Sequence, residues 1–267
     1  MTEEEKKHIW DVFDKIVCIH FLPYKNDRLK NIASELKRIG ILNSGKFDWE
    51  FTVPNKFYDY VKVPKDKTKH GHGTITPVTR PYAIQYYTLL KKLLYMGYER
   101  VLIFEDDVVF RKDVGEIAKI VGETPSDWDI VNYDPFRRMG WLGAGKGYWG
   151  HYYDLKGNEV KKDWDGDTFL RYHSVVYQAD AMAYTRRAVE QIISKMEEMF
   201  VPADWYSWMD TGDLKTYCTS GANNICVQNK NYHNKMTGDG YSSTFAQIYG
   251  KDFDLSKFNL EVQNVQP

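Results

Sequence analysis

Three kinds of feature are scarce in this sequence, and each scarcity excludes a class of protein. The chain has only three cysteines in 267 residues, and the wide spacing of Cys18, Cys218 and Cys226 fits neither a disulfide framework nor a zinc site. No apolar run approaches the ~18 residues that a membrane-spanning helix needs. Residues 1–7 are mostly charged and lack the apolar centre of a signal peptide. We therefore expect a cytoplasmic protein in a reducing compartment.

An excess of charge of one sign is also missing. Lys and Arg number 36, and Asp and Glu number 37, which gives a formal net charge of −1. Because nucleic-acid binding depends on a basic surface, this balance argues against DNA or RNA as a partner. Aromatic residues are plentiful by contrast, with 20 tyrosines and 8 tryptophans. Their rings either fill a core or stack on sugar rings, and composition alone does not choose between these uses.

The most informative stretch lies at residues 101–110, where four apolar residues precede three acids and three further apolar residues follow. Such an apolar run, rich in branched residues, predicts a strand that is buried on both faces. Glu105, Asp106 and Asp107 then need compensation inside the fold, because a buried charge without a partner is costly. A divalent cation held by carboxylate oxygens would supply it and would in turn bind a phosphate. The alternative is a strand that ends in solvent, with all three acids hydrated.

A predicted strand and helix lie near the beginning of the chain. Residues 16–22 are apolar, and Asp27 can cap a following helix whose apolar positions repeat at helical spacing up to Gly40. This order is typical of parallel α/β sheets, whose ligands bind beyond the carboxyl ends of the strands. Leu22 and Arg28 would then lie beside the acids. Arg28 either contacts a phosphate or nucleotide there or is a solvated arginine on the helix surface.

Strand and helix patterns alternate along the rest of the chain. Helices are predicted from residues 80, 113 and 185, and extended segments at 47–53, 128–133, 174–184 and 224–228. Between residues 135 and 167 the periodicity is lost, and glycines alternate with aromatic residues, most densely at 140–153. That segment is either an acceptor-binding wall or lid, or a surface excursion closed by its own aromatic cluster. With no internal repeat or linker, one α/β domain over 1–267 is the simplest interpretation, with a core at about 14–235 and a polar tail at 238–267.

Four pieces of the sequence occur in a characteristic order. They are the strand and helix at 16–40, the helix end at 98–100, the acidic segment at 103–108 and a Pro-x-Asp element within 201–205. Together they resemble glycosyltransferase family 25, which includes lipopolysaccharide-modifying and collagen galactosyltransferases. The chain departs from that family in the helix before the acidic strand, where Gln85-Tyr86-Tyr87 replaces a Ser-His pair. This departure bears on the donor or acceptor preference.

The resemblance implies a fold of the GT-A type, a nucleotide-sugar-binding α/β domain with a mostly parallel central sheet flanked by helices. It implies a metal-dependent transferase that moves a hexose, galactose favoured, from a UDP-sugar to a hydroxyl of a glycan or glycoconjugate. The reaction would invert the anomeric carbon and use Mn²⁺ or Mg²⁺. A lipid-linked acceptor would bring the protein into peripheral contact with a membrane.

The resemblance also implies roles for individual residues. Glu105 would contact the donor ribose, and Asp106 would support the turn or the sugar. Asp107 would ligate the cation, and His233 would be a later ligand of the metal or the diphosphate. Asp204 would take the proton from the acceptor hydroxyl. Its alternative role is to cap the segment that follows it, and capping and catalysis are not exclusive. If Asp204 is not the base, another carboxylate such as Asp134 or Asp180 takes the proton.

Two other classes of protein stay open. A phosphoryl transferase or nuclease would use the same acids to hold Mg²⁺. The sequence shows neither a Gly-rich phosphate loop nor a second acidic cluster for two-metal chemistry. A carbohydrate-binding protein would keep the fold without turnover, and the presence of Glu105, Asp107 and Asp204 argues against it.

Overall fold

The computed structural model of this chain describes residues 2, 6, 8–21, 26–52, 79–134, 151–160, 166–173, 180–198, 212–220 and 223–228. A short 3-10 helix spans Ile9–Val12. The strands are β1 (Lys15–Phe21), β2 (Phe47–Thr52), β3 (Arg100–Glu105), β4 (Val108–Phe110), β5 (Ile130–Asn132), β6 (His151–Tyr153), β7 (Glu159–Val160), β8 (Phe169–His173), β9 (Ala181–Thr185), β10 (Thr216–Thr219) and β11 (Cys226–Gln228). The helices are α1 (Asn26–Arg38), α2 (Thr79–Tyr95), α3 (Val114–Gly122) and α4 (Arg186–Glu198). None of the helices in these ranges has the length and apolar character to cross a membrane.

Among the described residues, nine strands form one sheet in the order β2-β1-β3-β9-β5-β10-β8-β6-β7. Strands β1, β2, β3, β5, β6 and β10 run in one direction, whereas β7, β8 and β9 run in the other. The prediction of an α/β fold with a mostly parallel central sheet flanked by helices is confirmed. The antiparallel strand β9 lies in the middle of that sheet, between β3 and β5.

Apolar side chains cover both faces of the sheet. On one face, α2 and α4 pack on a cluster that includes Val17 of β1 and Ile103 of β3. On the other face, α1 and α3 pack on a cluster that includes Cys18 and Phe104. Successive residues of β1 and β3 therefore alternate between two apolar layers, which explains why both strands are continuous apolar runs.

The helix ends follow signals in the sequence. The side chain of Asp113 accepts a hydrogen bond from the backbone N–H of Glu116, and Glu116 returns the contact, which forms a capping box at α3. Thr185 Oγ1 accepts from the N–H of Ala188 at the start of α4. Gly97 follows α2 with a φ of 79°, a conformation that other residues adopt only with strain.

The structure differs from the prediction at the start of α1 and in the stretch predicted to be irregular. Helix α1 begins at Asn26, so Asp27 lies within its first turn and does not precede it. Part of the stretch predicted to be irregular forms a hairpin of β6 and β7, and β6 extends the large sheet by pairing with β8. These strands are too short to show a period in the sequence. Residues 140–150 of the glycine and aromatic stretch lie outside the described residues.

Candidate metal and nucleotide site

Acidic residues from three strands meet at one edge of the sheet. Glu105 is the last residue of β3, and Asp107 lies in the turn between β3 and β4. Asp134 lies just beyond β5. Asp180 directly precedes β9, and because β9 is antiparallel to β3 and β5, it begins at the edge where they end. The backbone N–H of Glu105 donates to the carbonyl of Asp180 at 3.0 Å, which fixes the two acids side by side.

Three of these acids converge on a common point. One carboxylate oxygen from each of Glu105, Asp107 and Asp180 lies within 4.8 Å of the other two. Asp107 and Asp180 are buried, each with 2% of its surface exposed. Hard oxygen ligands of this kind suit Mg²⁺ and Mn²⁺, so the residues fit the divalent cation that the resemblance implies. We refer to Glu105, Asp107 and Asp180 as the acidic trio.

The electrostatics of the buried acids also favour a cation. Burial, and after it the negative charge of Asp107, raises the pKa of Asp180 well above its ordinary value. Burial is likewise the main reason that the pKa of Asp134 is raised to about 7. A divalent cation would offset the repulsion between these carboxylates and would take the place of bound protons.

Arg28 and His20 pair with the two aspartates of the turn between β3 and β4. Arg28 Nε lies 2.9 Å from Asp106 Oδ1, and Arg28 Nη2 lies 2.5 Å from Asp107 Oδ2. His20 Nδ1 donates to Asp106 Oδ2 at 2.6 Å. All four side chains are buried. Arg28 is therefore not a solvated residue of the helix surface but a buried counter-ion that ties α1 to the acidic turn.

Glu105 has its own partner on α2. The hydroxyl of Tyr82 donates to Glu105 Oε1 at 2.7 Å. This contact orients the carboxylate at the end of β3, as partners outside the ligand shell orient ligands in metal sites. Tyr82 was not predicted as a site residue, because only the packing of α2 on the sheet brings it to Glu105.

The remaining predicted site residues lie outside the described part of the chain. These are Leu22, Asp204 and His233. The described chain ends at β11, where Gln228 pairs with Val108, the neighbour of Asp107. The roles assigned to these three residues stay predictions.

The sequence analysis did not predict Asp180 as a member of the acidic trio or His20 as a partner of Asp106. An acid directly before an apolar strand is the available signal for Asp180. That signal places Asp180 in the site only once β9 is known to be antiparallel. His20 is a single polar residue within the apolar run of β1, and no local pattern distinguishes it from the other residues of the strand.

We expect Arg28→Met to lower the free energy of unfolding by about 3–5 kcal/mol, because it leaves buried carboxylates without their guanidinium. Urea denaturation in the presence of EDTA measures this loss. Mn²⁺ should restore part of it by binding to the folded state. The control is Arg186→Met, which removes a partly exposed pair with Glu190 and should change stability by less than about 1 kcal/mol. An equal loss in both variants would show that Arg28 is not a counter-ion of the acidic turn.

The sequence matches no protein-family model and no curated protein. Among solved structures it is similar to A197 from STIV, with 11% identity over 80% of this chain and 94% of that chain and a TM-score of 0.37. A mannose-1-phosphate geranyltransferase from Thermus thermophilus has 6% identity over 90% of this chain and 80% of its own, with a TM-score of 0.36. A putative glucose-1-phosphate thymidylyltransferase from Bacillus anthracis, in complex with a sucrose, has 12% identity over 96% and 85%, with a TM-score of 0.32. Similarity at this level carries no argument about activity.

Proposed function

We propose that this protein is a metal-dependent, inverting glycosyltransferase that moves a hexose, galactose favoured, from a UDP-sugar to a hydroxyl of a glycan or glycoconjugate. The observation that carries the proposal is the acidic trio, whose oxygens converge within 4.8 Å. The trio lies at the edge where parallel strands end, which is where α/β sheets bind their ligands. The resemblance of four sequence pieces to glycosyltransferase family 25 supports the choice of donor and reaction.

The trio would hold Mn²⁺ or Mg²⁺, and that cation would neutralise the charge that develops on the diphosphate as UDP departs. Two neighbouring side chains orient carboxylates of the trio. Arg28 holds Asp107 through Oδ2, and Tyr82 holds Glu105 through Oε1. Glu105 would contact the donor ribose, as the resemblance implies. As a member of the acidic trio, it would also ligate the cation.

The acceptor side of the reaction needs a base. An acceptor hydroxyl must lose its proton as it attacks the anomeric carbon from the face opposite to UDP. Asp204 is the proposed base, and His233 is a proposed further ligand of the metal or diphosphate. The single domain over 1–267, the cytoplasmic location and peripheral membrane contact through a lipid-linked acceptor also remain part of the proposal.

Calorimetry with UDP, with and without Mn²⁺, tests the donor. We expect measurable UDP binding only when Mn²⁺ is present, because the diphosphate would bind through the cation. We expect weaker binding of GDP under the same conditions, because the proposed donor is a uridine nucleotide. A carbohydrate-binding protein would bind no UDP in either buffer. Equal affinity for UDP and GDP would contradict a uridine-specific donor site.

A phosphoryl or nucleotidyl transferase is the second candidate. It is favoured by Asp134, whose side chain is hydrogen-bonded to that of Asp180 and so adds a fourth acid next to the trio. The cluster is thus larger than the sequence indicates, and two-metal chemistry needs such a set of carboxylates.

Product analysis with a UDP-hexose separates the candidates. Glycosyl transfer releases UDP, whereas cleavage within the diphosphate releases UMP and a hexose phosphate.

A further inference from the structure

Gln85 is a buried polar residue of α2 whose amide is unpaired within the described part of the chain. It lies on α2 with 3% of its surface exposed, and neither Oε1 nor Nε2 has a hydrogen-bond partner among the described residues. Buried polar atoms in folded proteins are nearly always paired, because an unpaired one has lost its hydrogen bonds with water. A leucine or methionine of similar volume would avoid that loss. Packing therefore gives no reason for a glutamine at this position.

The neighbours of Gln85 on α2 show which part of the site it faces. Tyr82, one turn earlier, contacts Glu105 at the end of β3. Lys92, two turns later on the same side of the helix, pairs with Glu50 of β2 at 3.0 Å. Strand β1 lies between β2 and β3. Gln85 is therefore on the side of α2 that covers β1 and β2, one turn from the contact of Tyr82 with Glu105.

We propose that Gln85 recognises the uracil base of the donor, an inference that rests on the UDP-sugar proposed above. A cation in the acidic trio would hold the diphosphate, and Glu105 would meet the ribose. The base then lies beyond Glu105, on the side where Gln85 is found.

The chemistry of the two groups is complementary. The imide edge of uracil presents an N3–H beside the carbonyl oxygen O4. A carboxamide matches this pattern, because Oε1 accepts from N3–H while Nε2 donates to O4. Glutamine and asparagine make paired contacts of this kind when proteins recognise bases. Uracil would thus satisfy both polar atoms of the Gln85 side chain, which have no partner among the residues that the structure describes.

Calorimetry in Mn²⁺ with UDP and N3-methyl-UDP tests the proposal. Methylation removes the N3–H, so wild-type protein should bind N3-methyl-UDP about 10-fold more weakly than UDP, which corresponds to the loss of a hydrogen bond of ordinary strength. Gln85→Leu should bind UDP about 10-fold more weakly than wild type and should bind the two nucleotides equally. Inorganic pyrophosphate with Mn²⁺ should bind equally to both proteins, because it has no base.

The control Lys91→Met removes a contact with Glu197 from the same helix and should keep the wild-type preference for UDP. Gln85→Leu should also unfold at the same temperature as wild type or higher, because it removes an unpaired buried amide. Equal binding of UDP and N3-methyl-UDP by wild type overturns the proposal, whether or not the variant folds. A methylation effect that persists in Gln85→Leu assigns the recognition to another group. Wild-type protein that binds pyrophosphate but not UDP overturns the uridine donor itself.

Discussion

Replacement of Asp107 by alanine is expected to abolish metal-dependent UDP binding, with a loss of affinity of at least about 100-fold. Even partners outside the ligand shell change metal affinity by about 10–100-fold, and Asp107 would supply an oxygen to the shell itself. Its carboxylate is also held by Arg28, whose Nη2 lies 2.5 Å from Oδ2. Calorimetry of UDP at saturating Mn²⁺ measures the effect.

Asp106→Ala is the matched control for this experiment. Asp106 is the neighbouring acid, is also buried and also pairs with Arg28, but it contributes no oxygen to the acidic trio. Both variants should lose stability through the altered ion pair, and only Asp107→Ala should lose the metal-dependent affinity. Unchanged UDP affinity in Asp107→Ala would remove Asp107 from the site and with it the central support for the proposed function.

Replacement of Asp204 by asparagine is expected to depress glycosyl transfer by about 10²–10⁴-fold while UDP affinity stays unchanged. An asparagine cannot take the proton of the acceptor hydroxyl, and a positioned base contributes about this factor. Initial rates of transfer, measured beside UDP calorimetry on the same preparation, separate the proton transfer from donor binding.

Asp213→Asn serves as the comparison for Asp204, since Asp213 is an exposed acid that pairs with Arg187. Its transfer rate should equal that of wild type. If Asp204→Asn transfers near the wild-type rate, the base is another carboxylate, and Asp134 and Asp180 are the next variants to measure.

The elements around the site could be predicted where a local signal exists. The apolar runs of β1 and β3 predict strands buried on both faces, and the capping box at Asp113 and the glycine at Gly97 mark helix ends. Strands β6, β8 and β10 were not predicted as strands, because they are short and their place in the sheet depends on pairings with distant residues. The insertion of β9 between β3 and β5 is likewise a tertiary feature that no local pattern encodes.

The site could be predicted in part for the same reason. Glu105, Asp106 and Asp107 are consecutive, so the sequence shows them as one motif. Asp180 lies beside them only because β9 is antiparallel. Asp107 pairs with Arg28 and not with water because α1 packs against the sheet at this point. Local sequence thus identifies the acids of the turn, whereas tertiary packing selects their partners.

The pairing of β4 with β11 has a consequence for how the protein is made. Strand β4 continues directly from the acidic turn, and it pairs with residues near position 228, which the ribosome adds long after position 108. Asp180 is also synthesised well after Asp107. Contacts between distant segments form late in folding, and domains fold as the chain emerges. Nascent chains that end before β11 therefore lack the strand that anchors the turn, and the proposed nucleotide binding would require the finished polypeptide.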